Sequence, residues 1–337
     1  MLTPLTPPLT SPPTPVAVVG AGAWGTLLAQ LLAQNPALAV TLWARRPELA
    51  AELTRTRENE VYVPNLRLSE RLVFTADLGA VADAEAVFTA VPNRGLRAVL
   101  EQLPPVPALV SCGKGLEPGT FKRPTEVMAE YQPGAALGAL SGPNLAGEIA
   151  RGLPTSATAA SLDQALAERV QSWLSQRAFR VYTGTDLVGL ELGGALKNVV
   201  ALAAGMCDGL ALGDNAKASL VTRGLAETVR LGTSLGGDAR TFYGLSGLGD
   251  LMATCSSAGS RNHQAGARLA RGETLADLEA DHLNAEGIPT VRAVARYAGE
   301  RGLELPIAEA VHEVVFGGSS PETVIGELMA RAAKSEW

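Results

Sequence analysis

Short apolar, β-branched runs alternate with stretches of helical period through the first half of the chain. Val16-Ala-Val-Val-Gly20 reads as a strand, Thr26 to Ala33 as an apolar helix with leucines on successive turns, and Ala39-Val-Thr-Leu-Trp43 as a second strand. Strand, glycine turn, helix, strand is the βαβ unit of a parallel sheet. Further strand-like runs follow at Ala86 to Val91, Ala108 to Cys112, Leu137 to Leu140, Ser156 to Ala160 and Phe179 to Tyr182, separated by helical stretches such as Gly95 to Gln102 and Gln164 to Gln176.

After about Thr185 the strand-like runs stop. Alanine, leucine and glycine take over, with helical periods at Leu187 to Met206, Ala216 to Leu235, Ala265 to Ala270, Val291 to Glu300 and Ile307 to Phe316. A chain of 337 residues exceeds what one core usually supports. The pattern therefore predicts a sheet domain over 15–185 and a mostly helical domain over 186–337. Residues 1–14, rich in proline (Pro4, Pro7, Pro8, Pro12, Pro13) and without lysine or arginine, read as a flexible tail rather than a secretory signal.

Composition narrows the partners. The net charge of −6 argues against nucleic acid, so any anionic ligand must be held by local groups. Cys112, Cys207 and Cys255 are widely spaced with no CxxC pair, which suits packed thiols in a reducing, cytoplasmic compartment and gives no metal signature. No uncharged apolar stretch is long enough to cross a bilayer, so stable membrane insertion is not expected.

Gly20-Ala-Gly-Ala-Trp-Gly25 follows the first strand and opens the first helix. Gly20 would make the tight turn, Gly22 would let backbone approach a pyrophosphate, and Gly25 would permit close helix packing. The pyrophosphate would sit at the helix N-terminus, where free amides and the dipole favour negative charge. The expected fold is thus an α/β Rossmann-type doubly wound sheet followed by an all-α C-terminal domain. About twenty residues on, an NAD-specific site places an acid for the ribose 2′-hydroxyl. This chain places Arg45 and Arg46, which favour the 2′-phosphate of NADP(H) over NAD(H) unless they are merely solvated.

Three more segments sit just after strand candidates: Val91-Pro-Asn93, Ser111-Cys-Gly-Lys-Gly115, and Leu140-Ser-Gly-Pro-Asn144. Lys114 between two glycines can approach an anion or be a solvated loop lysine, and Asn144 is placed to cap the next helix or touch a ligand. Gly247-Leu-Gly-Asp250 and Ser260-Arg-Asn262 add a carboxylate and a hydroxyl, guanidinium and amide suited to a phosphate. Lys197 interrupts the apolar run Glu191 to Val200. It either snorkels to water or is desolvated toward neutrality and exchanges protons with a hydroxyl. Gly193 and Gly194, one turn earlier, leave room for a ligand or for a packed helix.

These blocks, with Lys114-Gly-Leu-Glu, Leu192-Gly-Gly-Ala-Leu-Lys-Asn and Thr222-Arg-Gly-Leu-Ala-Glu, resemble the bacterial-type NAD(P)-dependent glycerol-3-phosphate dehydrogenases from about Val16 nearly to the C-terminus. The resemblance implies that Lys197 is the proton acceptor and that Lys114, Gly142, Asn144, Asp250, Ser260, Arg261 and Asn262 contact a small phosphorylated substrate. For the cofactor it implies Trp24, Arg45, Arg46, Lys114, Ala146, Arg261, Asn284 and Glu286 beside the glycines. It further implies reversible hydride transfer between sn-glycerol 3-phosphate and dihydroxyacetone phosphate, in the service of glycerophospholipid synthesis, and it allows a homodimer. Ala23, Asn93, Asn144 and Asn284 depart from the commonest pattern of that family. A β-hydroxyacid or 6-phosphogluconate type dehydrogenase is the alternative within the same architecture, and a non-catalytic nucleotide-sensing module is the alternative from another class.

Replacing both arginines (Arg45→Ala with Arg46→Ala) should weaken NADPH binding much more than NADH binding. Titration of each reduced cofactor against the double variant checks this, and equal losses would refute the 2′-phosphate assignment.

Overall fold

The computed structural model describes residues 12–332 and Ser335. The prolines of the expected tail up to Thr10 lie outside the described residues, and Thr14 already belongs to the first strand. In chain order the elements begin β1 (Thr14–Val19), α1 (Ala23–Ala33), β2 (Leu38–Trp43), α2 (Pro47–Thr56), β3 (Glu58–Asn59), β4 (Val63–Arg67), β5 (Leu72–Thr75) and β6 (Ala86–Thr89). They continue α3 (Asn93–Leu100), β7 (Ala108–Ser111), α4 (Pro124–Tyr131), β8 (Ala136–Ser141), α5 (Ala146–Ala150), β9 (Thr155–Ser161), α6 (Gln164–Leu174) and β10 (Phe179–Gly184).

Eight strands form one sheet in the order β10-β9-β8-β7-β6-β1-β2-β5. Every neighbouring pair is parallel except β8 with β9, which are antiparallel, and the Rossmann-type doubly wound sheet is as expected. Strand order reverses direction at β1 and β6, the switch point where ligands of such sheets collect. The carboxyl ends of β1, β6, β7 and β8 therefore line up along one crevice. Each carries one of the motifs singled out above: the glycine turn, Asn93, Lys114 and the Gly142 to Asn144 turn.

Two elements escaped the hydrophobic pattern. Strand β5 extends the sheet by pairing with β2, but as the sheet edge it buries only Leu72 and leaves Val73 exposed, so it carries no continuous apolar run. The hairpin β3–β4 is shorter still, and its strands are largely polar. Both faces of the main sheet are covered, one by α1, α2, α5 and α6 over Val16, Val18, Leu28, Leu42 and Phe88, the other by α3 and α4 over Val19, Val87, Leu109 and Met128.

From Leu187 on the described elements are all helical: α7 (Leu187–Gly209), α8 (Asp214–Ser234), α9 (Ala239–Phe242), α10 (Asp250–Ser256), α11 (Arg261–Ala270), α12 (Leu275–Ala280), α13 (Gly287–Arg301), α14 (Pro306–His312) and α15 (Pro321–Met329). Helix α7 is the axis of this half. By length and hydropathy alone it could cross a bilayer, yet 94% of its apolar window is buried inside the protein. It is buried on all sides because α8, α10, α11 and α13 surround it.

The closest of these crossings, α7 on α11, depends on missing side chains. A Cβ at Gly205 would lie 2.0 Å from the His263 carbonyl oxygen, and one at Gly266 would lie 1.9 Å from that of Leu202. Backbones thus touch, and Asn262 at the start of α11 is carried to Asn198 on α7.

Gly266→Ala should force the two helices apart and destabilise the fold by about 1–3 kcal/mol, the usual cost of overpacking. Denaturant unfolding measures it, and a loss below about 0.5 kcal/mol would show that the crossing relaxes freely.

Candidate functional site

The site is assembled from both halves of the chain around one carboxylate. Asp250 opens α10 directly after a π-helical turn, Leu245–Gly249, that is packed tightly enough for a Cβ at Gly247 to strike the Phe242 carbonyl. Its side chain is buried, and its two oxygens serve two lysines. Oδ1 accepts from Lys197 Nζ at 2.7 Å, and Oδ2 accepts from Lys114 Nζ at 2.7 Å. Lys114 also donates to the Gly142 carbonyl (2.7 Å), and Lys197 donates to the Thr254 hydroxyl (2.6 Å). Thr254 in turn donates to the Asp250 carbonyl one turn back, which leaves an oxygen lone pair for the lysine.

Two cations on one anion leave a surplus positive charge in a buried place. Burial lowers the Lys197 pKa most, the Lys114 charge lowers it further, and Asp250 pulls the other way, so the group settles at about 8 rather than near 10.5. Burial pushes the Asp250 carboxyl up, but the two ammonium groups outweigh it and hold it below its ordinary value. Lys197 thus does not snorkel. An ammonium has three N–H bonds, and Asp250 and Thr254 take two, so a single position is left for exchange with a substrate oxygen.

Gly193 and Gly194 do not open space for a ligand. A Cβ at Gly193 would lie 3.0 Å from the Ser246 carbonyl, and one at Gly194 would lie 2.8 Å from Ser141 Oγ. Both are filled by protein, and it is helix packing that needs them.

A chain of side-chain amides ties the walls together. Asn198 donates to the Lys114 carbonyl (3.1 Å) and accepts from Asn262 (2.8 Å), and Asn262 accepts from the Gly287 amide (2.8 Å). The Asn262 side chain thus ties the walls with its oxygen and one N–H, and its amide group carries a second N–H as well. Ser260 is the N-cap of α11, with its hydroxyl accepting from the His263 amide (3.2 Å). What this terminus still offers is its first backbone amides, the Ser260 hydroxyl proton and the exposed Arg261 guanidinium, a set suited to a phosphate.

Asn144 is also not a helix cap. The N-cap of α5 is Leu145, and the Asn144 amide reaches across to the Ser156 carbonyl (3.4 Å). Gly142, at φ 153°, has its Cα against Ala157, where a side chain would clash.

The glycine turn divides its labour as the motif requires. Gly20, at φ 116°, makes the bend against the Ala90 carbonyl. A Cβ at Gly25 would lie 1.8 Å from the Gly20 carbonyl, and a Cβ at Gly22 meets nothing within 4 Å. Gly22 is also the N-cap of α1 without a side-chain bond, so the first amides of that helix face the crevice. Asn59, on the hairpin that the hydrophobic pattern missed, steadies the turn by donating to the Ala21 carbonyl (3.1 Å) and to Thr26 Oγ1 (2.8 Å). Trp24 on α1 and Ala146 on α5 pack together on the same core, and Arg45 and Arg46 are exposed at the carboxyl end of β2.

At the seam between the halves, Glu286 sits under the Arg261 and Arg94 charges, while burial raises its pKa. Asn284 accepts from Arg94 (3.1 Å). Among the described residues, the buried side-chain polar atoms without a partner are Trp24 Nε1 in the first turn of α1, Asn93 Nδ2 at the start of α3, Ser111 Oγ and Ser141 Oγ at the ends of β7 and β8, Asn144 Oδ1 in the turn after β8, and, elsewhere, Asn59 Oδ1 and Arg169 Nε. Buried polar groups left unmatched are costly, and their concentration here fits a ligand with many polar atoms. Together with the glycine turn, these residues fit a dinucleotide.

Two family models match the chain: NAD-dependent glycerol-3-phosphate dehydrogenase N-terminus over residues 15–167 and NAD-dependent glycerol-3-phosphate dehydrogenase C-terminus over residues 186–326. The chain belongs to the NAD-dependent glycerol-3-phosphate dehydrogenase family. It is 51% identical over 324 residues to a protein from Thermus thermophilus named glycerol-3-phosphate dehydrogenase (NAD(P)+), covering 95% of this chain and 99% of that one. A protein of the same name from Chlorobium limicola is 45% identical over 331 residues, with 95% and 99% covered. The crystal structure of glycerol-3-phosphate dehydrogenase from Coxiella burnetii superposes with a TM-score of 0.89 at 33% identity, covering 95% of this chain and 99% of that one. The relative's name carries NAD(P)+ and the family description NAD, so use of NAD or NADP is supported for this chain. Sequence reasoning did not single out Thr254, Asn198 or Asn59. A helical spacing of four after Asp250 was the available signal for Thr254, whereas the hairpin gave none for Asn59.

With the Lys197 pKa at about 8, roughly one molecule in ten carries the neutral amine at pH 7. Alcohol oxidation, which needs that amine, should rise with pH and level off above about 8. Carbonyl reduction, which needs the ammonium, should fall through the same interval. Initial rates in both directions across pH 6–10 check the opposed signs, and parallel profiles would place the titrating group elsewhere.

Proposed function

We infer that the protein is an NAD(P)-dependent sn-glycerol-3-phosphate dehydrogenase that interconverts sn-glycerol 3-phosphate and dihydroxyacetone phosphate. The observation that carries this reading is Lys197, buried, shifted toward neutrality and left with one free proton position, beside a helix terminus suited to phosphate. When bound, the nicotinamide supplies the hydride donor or acceptor. Neutral Lys197 takes the proton of the C2 hydroxyl in oxidation. As the ammonium it gives that proton back in reduction and stabilises the developing alkoxide. Asp250 and Thr254 hold the amine in place, and the surplus charge of the Lys114–Asp250–Lys197 group favours an anionic substrate.

In this reading Arg261 and the first amides of α11 grip the phosphate, while Gly142 and Asn144 border the substrate. Arg45 and Arg46 support a preference for NADP(H) over NAD(H), because guanidinium groups at the end of β2 pair with a 2′-phosphate and find little in a plain ribose. Trp24, Ala146, Asn284 and Glu286 would line the cofactor. The product suits glycerophospholipid synthesis.

The test is the oxidation of NADPH and of NADH in the presence of dihydroxyacetone phosphate, with Arg261→Ala and Lys197→Met alongside. The unmodified protein should turn over. Lys197→Met should lose at least about a hundredfold in turnover while still binding cofactor, as expected for removal of a general acid–base group. Arg261→Ala should chiefly raise KM for the phosphorylated substrate. An unchanged ratio of glycerol 3-phosphate to glycerol as substrates in Arg261→Ala would refute the phosphate assignment.

A further inference from the structure

A second buried carboxylate on α7 takes no part in the chemistry above. Glu191 lies six residues before Lys197, its side chain is 2% exposed, and it faces the other half of the molecule. It accepts from Arg123 Nη1 (2.8 Å), the Thr125 amide (2.9 Å) and the Thr125 hydroxyl (2.5 Å). These donors stand at the N-terminus of α4, where free amides and the helix dipole favour a negative group. Glu191 therefore completes the cap of a helix in the sheet domain from the central helix of the other half.

Apolar packing accompanies the joint: Leu187 and Leu190 rest on Ala139 and Ala160 of the sheet, and Leu116 and Phe121 join the core of the helical half. Such contacts set distance, whereas the directional bonds of Glu191 set register. Next to it runs a cleft of about 360 Å³ between the 119–126 segment and α13, bordered by Arg123, Leu192, Phe121 and Tyr297, and spanned by the Phe121–Tyr297 ring stack (centroids 4.2 Å apart). Helix α7 is straight-through secondary structure from Glu191 to Asn198. A shift at its first contact is thus carried to Lys197, which must meet a carbon held against the sheet's carboxyl edge.

We propose that Glu191 is a positioning residue for hydride transfer, fixing the register of the Lys197 helix against the dinucleotide-binding domain through the Arg123–Thr125 cap. The inference rests on the dehydrogenase reading, and turnover by the unmodified enzyme tests that reading separately. Replacement of the carboxylate by an amide keeps an acceptor for the Thr125 amide and can donate to the Thr125 hydroxyl, which rotates to accept, while the charge opposite Arg123 is lost. Removal of the side chain leaves the buried Thr125 amide without an acceptor and Arg123 with only Glu126 and the Thr125 hydroxyl. An apolar pair in place of both Arg123 and Glu191 restores burial without restoring register.

The experiment compares holoenzyme variants Glu191→Gln, Glu191→Ala and the double variant Arg123→Met with Glu191→Leu. Thermal stability, kcat, KM for each substrate and the deuterium isotope effect with 4-deuterated NADPH are measured. Glu191→Gln should stay within about threefold of the unmodified kcat, since both contacts to Thr125 can be kept, the one to its hydroxyl with donor and acceptor exchanged. Glu191→Ala should lose about 10- to 100-fold in kcat with cofactor KM unchanged within about twofold, and with a larger isotope effect, as expected for misplacement of the reacting groups. The double variant should regain thermal stability yet keep the low kcat. Full kcat and an unchanged isotope effect in the stable double variant would reduce Glu191 to a structural role and overturn the proposal. A displaced pH midpoint in Glu191→Gln would also overturn it, because it would make Glu191 a titrating member of the site.

Discussion

One carboxylate shared by two lysines organises this protein. Asp250 holds Lys114 from the sheet domain with one oxygen and Lys197 from the helical domain with the other. A buried carboxylate with one partner would be a weak source of stability, since desolvation consumes most of what the pair returns. With two partners it is outnumbered, and that imbalance is what makes the group useful. Burial lowers the pKa of the more deeply buried lysine against the opposing pull of Asp250, the charge of Lys114 adds to the lowering, and the leftover positive charge prefers an anion in the space beside it. Structure and chemistry are here the same interaction, since the contact that joins the domains also tunes the proton-transfer group.

The rest of the architecture serves to bring those three side chains to one point. Missing side chains at Gly205 and Gly266 let α7 and α11 meet backbone to backbone, so that Asn262 reaches Asn198 and the N-terminus of α11 is tied to the Lys197 helix. Asn198 then fixes the Lys114 loop through its carbonyl. On the sheet side, strand order places the ends of β1, β6, β7 and β8 along one crevice, with polar atoms left over for a dinucleotide. The amide of Asn262 illustrates how side chains tie such walls together, accepting from the Gly287 amide while donating to Asn198.

Much of this was legible in the chain alone, and where it was not, the reason is physical. Periodicity located the core strands because each is buried on both faces, and it located α7 because its apolar run is long. It failed at β5, whose exposed edge position removes the apolar signal, and at the β3–β4 hairpin, which is too short and too polar to carry one. The glycine turn announced its three roles because those roles depend on backbone alone. Asn144 and the glycines before Lys197 stayed open between two readings for the opposite reason. Their neighbours Ser156, Ser246 and Ser141 lie outside the local segment.

Sequence by itself determined the family, the order of sheet and helices and the glycine turn, and it singled out Lys197, because each is written in local residue types and spacings. Only the tertiary structure decided the state of that group. A lysine in an apolar run is equally compatible with snorkelling and with burial, and the choice depends on whether Asp250 and Thr254, more than fifty residues away, arrive within hydrogen-bond distance. They do, and the pKa that makes Lys197 a base is a property of that meeting: the cost of burial, the charge of Lys114 and the opposing pull of Asp250, none of which belongs to any one segment of the chain.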